Sequence, residues 1–369
     1  MSHTGQLFLL CLCCACWAFG FGLECPLSSR WMQDAGRSES FIGLNTAVHF
    51  AGVILIGLFT PSLIRRAGRA CIVVGLALAG TSIALFPEVG PIGWFLSRLL
   101  AGAGGALALI SLETLINLHS TAERRGRDFA CYACAVALGF ALGTFVGLHV
   151  YAVDPHLSFW LGGTATLAAL PLAAWLPAFP HYLEPPVRTA RERAPFLSLA
   201  SAWCQGFIEA GTLALLPLFL RLNGYADGDS GTLLGGILLG VLVFQVPIGW
   251  LADRLGRQRA LLGCYVIVAG GLAIVPFADR SWGMPLVLAI VGICSGAFYP
   301  LGLALMGERL TPDDLPRANA WYLSVNCFGS LISPLVSGPL MEMYGPNAMF
   351  WSAEVVILAV LVRVAWRRG

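Results

Sequence analysis

The chain reads as an all-α polytopic membrane protein, with twelve transmembrane helices in two pseudo-symmetric six-helix bundles. Three observations predict this. Hydrophobic residues make up 57% and charged residues 11% of the 369, and the mean hydropathy is +0.78, whereas a soluble domain carries about 25% charged residues. Apolar runs near twenty residues, long enough to cross about 30 Å of hydrocarbon, recur twelve times. The chain also repeats itself at a fixed offset of 188. Gly36, Gly43, Gly52, Arg66, Gly68, Arg69 and Gly75 fall on Gly224, Gly231, Gly240, Arg254, Gly256, Arg257 and Gly263 without a gap.

The first run, 6–29, is preceded by no Arg or Lys, so it lacks the basic start of a secretory signal peptide and reads as a membrane helix. Runs 41–64 and 70–87 flank the basic loop of Arg65, Arg66 and Arg69; runs 91–118 and 127–150 flank a second one; run 156–178 completes the first bundle, residues 1–178. Residues 179–197 hold Pro180, Pro185, Pro186, Pro195, Arg188, Arg191 and Arg193, the composition of a linker. Runs 198–221, 230–251, 258–278, 283–308, 316–340 and 347–366 build the second bundle, 198–369. Loops after the even-numbered runs, with the C-terminal tail, hold 17 of the 22 Arg. By the positive-inside rule both termini are cytoplasmic, in an inner (plasma) membrane.

Between the eighth and ninth runs lies Gly249-Trp-Leu-Ala-Asp-Arg-Leu-Gly-Arg-Gln-Arg259. Here Gly249 would let helices approach closely. Asp253 can meet a helix N-terminus or a neighbouring Arg, and Gly256 supplies the turn. The upstream copy keeps Arg66, Gly68 and Arg69, but Pro61 replaces the first Gly and Arg65 the Asp. This loop resembles the G-x-x-x-D-R-x-G-R-x-R loop of the major facilitator superfamily, and the resemblance extends over the repeat, the linker and the termini. Arg98-Leu-Leu-Ala-Gly102-Ala-Gly resembles the R-x-x-x-G-x-G segment that this family associates with substrate and proton passage. Ser111 to Asn117, Arg125-Gly-Arg127 and Phe298 to Leu305 are similar to its YcaD-like branch of uncharacterised facilitators. The resemblance implies a monomeric secondary transporter that rocks two bundles about a central site, gated by Gly249, Asp253, Arg254, Gly256, Arg257, Arg66, Gly68 and Arg69. Only the second copy retains the acidic group, so gating should depend unequally on the two; a plain topology signal is the other reading of each loop.

A charge inside the hydrocarbon costs roughly 2.5–3.5 kcal/mol on insertion scales, so it faces a cavity or a partner. Glu24 and Arg98 lie at similar depths and are candidates for an ion pair, either proton-coupling or structural. Glu209 is near mid-membrane beside Gln205 and Gly206, with no cationic partner in sequence. A carboxylate in such a place favours its protonated form, which makes it the preferred proton- or cation-binding residue. Glu113, deeper in the fourth run, is assigned to the inner vestibule or to a hydrogen bond with the tenth. Glu354, in the last run, pairs with a neighbour or the interface. Gln205, Gln245, Tyr299, Tyr322, Asn326 and His49 complete the candidate substrate cavity, although His or Asn in a membrane helix also serves to bond neighbouring backbone.

Gly139, Gly143 and Gly147 form a close-packing face in the fifth run, which lacks the Gly-Pro step of many family antiporters. Ser333-Pro334 and Gly338-Pro339 are candidate bends. Cys11, Cys13, Cys14 and Cys16, with Cys131 and Cys134, suggest soft-metal cargo, but free Cys also packs as a small apolar residue, and no metal site is assigned. There is no G-x-x-x-x-G-K-[ST] and no Lys at all, which argues against an ATP-driven pump. No catalytic grouping, cofactor or nucleic-acid partner is expected; the partners are a small-molecule substrate, protons and the lipid bilayer. The expected function is proton-coupled transport of a small organic solute or drug-like amphiphile, with efflux the favoured direction. The alternatives are a non-transporting sensor or scaffold of the same fold and a copper-like transporter using the first helix.

Overall fold

The computed structural model describes residues 3–120, 124–179, 196–308 and 315–366. Among these there is no strand. The helices are α1 (His3–Asp34), α2 (Glu39–Ala67), α3 (Ala70–Leu85), α4 (Pro91–His119), α5 (Arg125–Tyr151), α6 (Pro155–Leu167) and α7 (Ala169–Ala173). They continue as α8 (Phe196–Leu222), α9 (Asp227–Leu255), α10 (Arg257–Ile274), α11 (Gly283–Gly296), α12 (Phe298–Gly307), α13 (Leu315–Tyr344) and α14 (Ala348–Trp366). Eleven of the resulting rods are long and apolar enough to cross a membrane. The sixth run, by contrast, is divided at Ala168, between α6 and α7. Pro171 is the cause: it has no N–H to give the carbonyl of Leu167, and its ring crowds that carbonyl. The same arithmetic separates α11 from α12, where Pro300 leaves Gly296 without its donor. The linker 180–195 lies outside the described residues.

Local signals set the helix ends. Helix α2 starts on Glu39 and ends on Arg65 and Arg66; its repeat partner α9 starts on Asp227 and Asp229 and ends on Arg254. Both arrangements complement the helix dipole. Asp154 caps α6 by accepting from the Leu157 N–H, with Pro155 in the first turn. The turn glycines obey the repeat in three dimensions: φ is +71° at Gly36 and +86° at Gly224, +53° at Gly68 and +89° at Gly256. These left-handed values favour glycine, which carries no Cβ.

Two compact units result. One holds Met1–Ala35, Val48–Pro185 and Ala226–Gly235; the other holds Gly36–Ala47, Pro186–Tyr225 and Gly236–Gly369. Each therefore includes the first turns of a helix whose remainder belongs to the other.

The first unit is organised by contact of α1 with α5. A Cβ added at Gly139 would lie 2.5 Å from Ala15 O, one at Gly143 2.1 Å from Phe19 O, and one at Gly147 2.7 Å from Leu23 Cγ. The three glycines thus let α5 lie against α1 with the two chains running in the same direction. In the second unit α8 and α13 repeat the arrangement with the glycines redistributed: a Cβ at Gly206 would lie 2.0 Å from Asn326 O and one at Gly329 2.2 Å from Trp203 O. Without water to satisfy backbone groups, small residues at such contacts maximise van der Waals packing. Cys13 and Cys14 are buried with Leu10, Ile72, Leu112 and Ile116 in the first unit's core. Large apolar side chains face outward in numbers, among them Leu58, Ile92 and Val246, and Trp175, Trp282 and Trp366 are exposed near helix ends. This is the surface of a multi-pass protein with lipid as its solvent.

Candidate functional site

In the first unit α1, α2 and α4 bring together Glu24, His49 and Arg98. The Arg98 guanidinium reaches Glu24 with Nη1 2.5 Å from Oε1, and His49 Nδ1 lies 3.7 Å from the other oxygen, Oε2. Arg98 is 0% exposed and Glu24 2%. Arg98 Nη2 also donates to Cys25 Sγ at 3.8 Å, while its Nε and the Nδ1 of His49 have no hydrogen-bond partner. The anticipated ion pair of Glu24 and Arg98 is therefore formed, and His49, expected in the substrate cavity, sits against it. Phe21 holds the imidazole by stacking, with ring centroids 5.2 Å apart. Close approach of α2 and α4 completes the setting: a Cβ at Gly102 would lie 2.1 Å from His49 O.

Glu113 on α4 is half-buried and accepts from Tyr132 Oη on α5 at 2.6 Å. No local pattern marks out Tyr132. It lies nineteen positions downstream of Glu113, and only the packing of α5 identifies it.

The second unit carries the other candidates. Glu209 on α8 is exposed and accepts from Gln205 Nε2, one turn earlier, at 3.3 Å. It has no cation within ion-pair reach among the described residues, and Gln205 is the neutral partner that i, i+4 spacing supplies. Asn326 donates through Nδ2 to Ala202 O at 3.0 Å, so it bonds neighbouring backbone. Tyr322 is fully buried; its hydroxyl donates to Tyr299 O at 2.7 Å and lies 3.3 Å from Ser201 Oγ. Its ring meets that of Tyr299 edge-on at 4.8 Å. Gln245 is exposed and lines a cavity of about 150 Å³ with Gly249, Asp253, Arg257 and Pro300.

Around Gly256 the hub is Arg257. It donates through Nη1 to Ala304 O at 3.0 Å, and its Nε and Nη2 lie 3.3 Å from Glu308 and 3.7 Å from Asp253. Glu308 belongs to this cluster although the loop motif does not contain it. Arg254 lies over the Trp250 ring at 3.6 Å. In the first copy Arg69 instead donates to Ala174 O at 2.7 Å, and Arg66 is exposed. One expectation is corrected: Gly249 makes no close helix approach, because a Cβ there would meet nothing within 4 Å. It borders the cavity instead, and space rather than contact surrounds it.

Arg30 is a second correction. The hydropathy boundary at Ser29 leaves it in a loop, but α1 continues to Asp34 and buries Arg30 completely. Its Nε donates to Asp227 at 2.7 Å and its Nη1 to Gln33 at 2.5 Å, with Asp34 at 3.3 Å. Asp34 also accepts from Tyr151 Oη at 2.8 Å. Among the described residues, no group of three or more His, Cys, Asp or Glu is placed to hold a metal ion.

The family description Major Facilitator Superfamily matches residues 8–225 and again 198–368, and the chain belongs to that superfamily. It is 25% identical over 370 residues to the uncharacterized MFS-type transporter YfkF of Bacillus subtilis (strain 168), covering 96% of this chain and 93% of that one. It is 26% identical over 350 residues to the uncharacterized MFS-type transporter YcaD of Salmonella heidelberg (strain SL476), covering 91% and 89%. In fold it is similar to the nucleoside transporter NupG, with a TM-score of 0.77 at 13% identity over 98% of this chain and 99% of that one. It is likewise similar to the peptide transporter POT in complex with sulfate, with 0.76 at 16% identity over 99% and 95%. The chain thus has a multi-pass membrane transporter fold.

Proposed function

We propose that this protein is a proton-coupled secondary transporter that carries a small organic solute or amphiphile by alternating access, in the direction of efflux. The two six-helix bundles, 1–178 and 198–369, act as the rocking bodies. Both termini are cytoplasmic, in an inner membrane, and the protein works as a monomer. The observation that carries the reading is the contrast between two intramembrane carboxylates. Glu24 is locked against Arg98 in a buried pair, whereas Glu209 is exposed with only the neutral Gln205 beside it. The first arrangement couples to a proton because Glu24, once protonated, parts from Arg98, and the second leaves a carboxylate free to gain and lose a proton.

Substrate binds among Glu113, Gln205, Gln245, Tyr299, Asn326 and His49. The loop residues Gly249, Asp253, Arg254, Gly256 and Arg257, with Arg66, Gly68 and Arg69, gate the cytoplasmic face. Proteoliposome counterflow with a solute panel that includes nucleosides and short peptides identifies the cargo. Glu209→Gln should then abolish the acceleration of flux by a pH gradient while leaving the protein folded; unchanged coupling would remove Glu209 from the mechanism.

A further inference from the structure

The buried centre of α1, α2 and α4 contains one more titratable group than an ion pair requires. His49 Nδ1 is 3.7 Å from Glu24 Oε2, whereas Arg98 meets the other oxygen, Oε1. The ring is 3% exposed, and Nδ1 bonds to nothing. Leaving a buried polar nitrogen without a partner costs about 1–3 kcal/mol, and it persists here within a fixed aromatic setting. Phe21 stacks on the ring, and Phe50 meets it edge-on at 5.4 Å. Trp17 stacks behind Phe21 at 5.4 Å. Ring position is thus set by packing, and Nδ1 is aimed at a carboxylate slightly beyond hydrogen-bond distance.

The charged or titratable groups facing His49 are Glu24 from α1 and, beyond it, Arg98 from α4, with Cys25 next to Arg98. A second cation here is repelled by Arg98, and the Glu24 carboxylate, with one oxygen toward each, is the charge that opposes this repulsion.

We propose that His49 is a second proton-binding residue of this centre: in the resting arrangement it takes a proton from the aqueous phase on Nδ1 and keeps it, and when the helices rearrange it passes that proton to Glu24 Oε2 so that Arg98 is released. In that transfer the N–H bond at Nδ1 breaks and an O–H bond forms at Oε2. The imidazole returns to neutral, and the guanidinium loses its counter-charge while keeping its own proton. The centre gains one positive charge per proton, located finally on Arg98, where a rearrangement of the helices or an incoming acceptor must compensate it. This inference rests on the proton-coupled reading of Glu24 and Arg98, and it adds the residue through which the proton arrives.

The test is nitrogen NMR of the purified full-length protein in detergent with labelled histidine, the His49 signals being assigned by their loss in His49→Asn. As pH falls from about 9 to about 4, a span that covers ordinary histidine titration, His49 should pass from one ring N–H to two. Glu24→Gln should remove the second proton. A ring that stays singly protonated throughout would overturn the proposal, and it would do so in the wild-type protein, whatever the stability of any variant. In proteoliposomes His49→Asn, which keeps an amide near the Nδ1 position but cannot titrate, should lower pH-driven flux by about a hundredfold or more, the usual range for removing a proton-transfer group. Wild-type flux in His49→Asn with loss in Glu24→Gln would sink the role of His49 alone. Wild-type flux in both would sink the coupling role of the centre itself.

Discussion

At the scale of single residues, the decisive feature is a buried charge pair whose two members need each other. Arg98 is completely enclosed, and Glu24 supplies its counter-charge at 2.5 Å. Removing one partner of such a pair costs about 3–5 kcal/mol, because the survivor is left buried and uncompensated, whereas apolar replacement of both is often close to neutral. Arg98→Met should therefore destabilise the detergent-solubilised protein by about that amount, and Glu24→Met combined with Arg98→Met should recover most of the loss. Thermal unfolding of the two variants checks this; a double variant as unstable as the single would refute the account. Arg98 and Glu24 were legible in the sequence because charge in an apolar run is conspicuous. Tyr132 was not, because a tyrosine in a membrane helix is ordinary until its hydroxyl is seen on Glu113.

At the scale of helices, the glycines divide into those that a neighbour presses against and those that are free. Gly143 has Phe19 O where its Cβ would be, whereas Gly249 has nothing within 4 Å. Gly143→Ala should force α5 away from α1 and lower stability. Gly249→Ala should be neutral or stabilising by roughly 0.5–1 kcal/mol, the helix preference of Ala over Gly. A melting comparison in which Gly249→Ala is the more damaging would contradict this packing.

The turn before α11 gives a pH prediction. Asp279 accepts from the Ser281 hydroxyl and from the backbone N–H groups of Ser281 and Trp282. The Ser281 hydroxyl, then the N–H groups of Trp282 and Gly283, pull its carboxyl down to about 2. The folded value lies below the usual carboxylate value of about 3.9. The turn's contribution to stability is therefore fully present above about pH 4 and is lost as pH falls through about 2. Hydrogen exchange at the start of α11 should show protection declining over that window in the wild type and a flat, low level in Asp279→Ala.

At the scale of the molecule, the repeat is closely kept in turn geometry and broken in chemistry. Gly36 pairs with Gly224 and Gly68 with Gly256 in left-handed φ. Yet Arg30, Asp34 and Tyr151, which gather with Asp227 in the first unit, correspond at the 188 offset to Leu218, Leu222 and Pro339. The start of α9 is thus tied by a buried ion pair, and the start of α2 by the Ser40 N–H on Glu342 Oε2 at 3.2 Å. Asp227→Asn should cost about 1.5–3 kcal/mol, the range for a hydrogen bond to a charged group. Ser40→Ala should cost less, since it removes only the hydroxyl's bond to the exposed Glu342 and leaves the backbone N–H bond in place. Equal losses in unfolding experiments on the two variants would show that the two helix starts are tied equally after all.

The amino-acid chain by itself makes class, helix order and repeat readable. Hydrocarbon imposes length and apolarity on every crossing segment, and a duplicated turn keeps glycine where φ is positive in both copies, as at Gly36 with Gly224 and Gly68 with Gly256; both requirements act on residues one at a time or at fixed spacing. It also exposed Glu24, Arg98 and Glu209, whose cost in lipid marks them. The tertiary structure alone decided which groups meet: His49 on Glu24, Tyr132 on Glu113, Glu308 on Arg257, and Arg30 enclosed rather than in a loop. Those outcomes depend on helix rotation and depth, which side-chain packing sets across distances of tens to hundreds of residues and which no local pattern records.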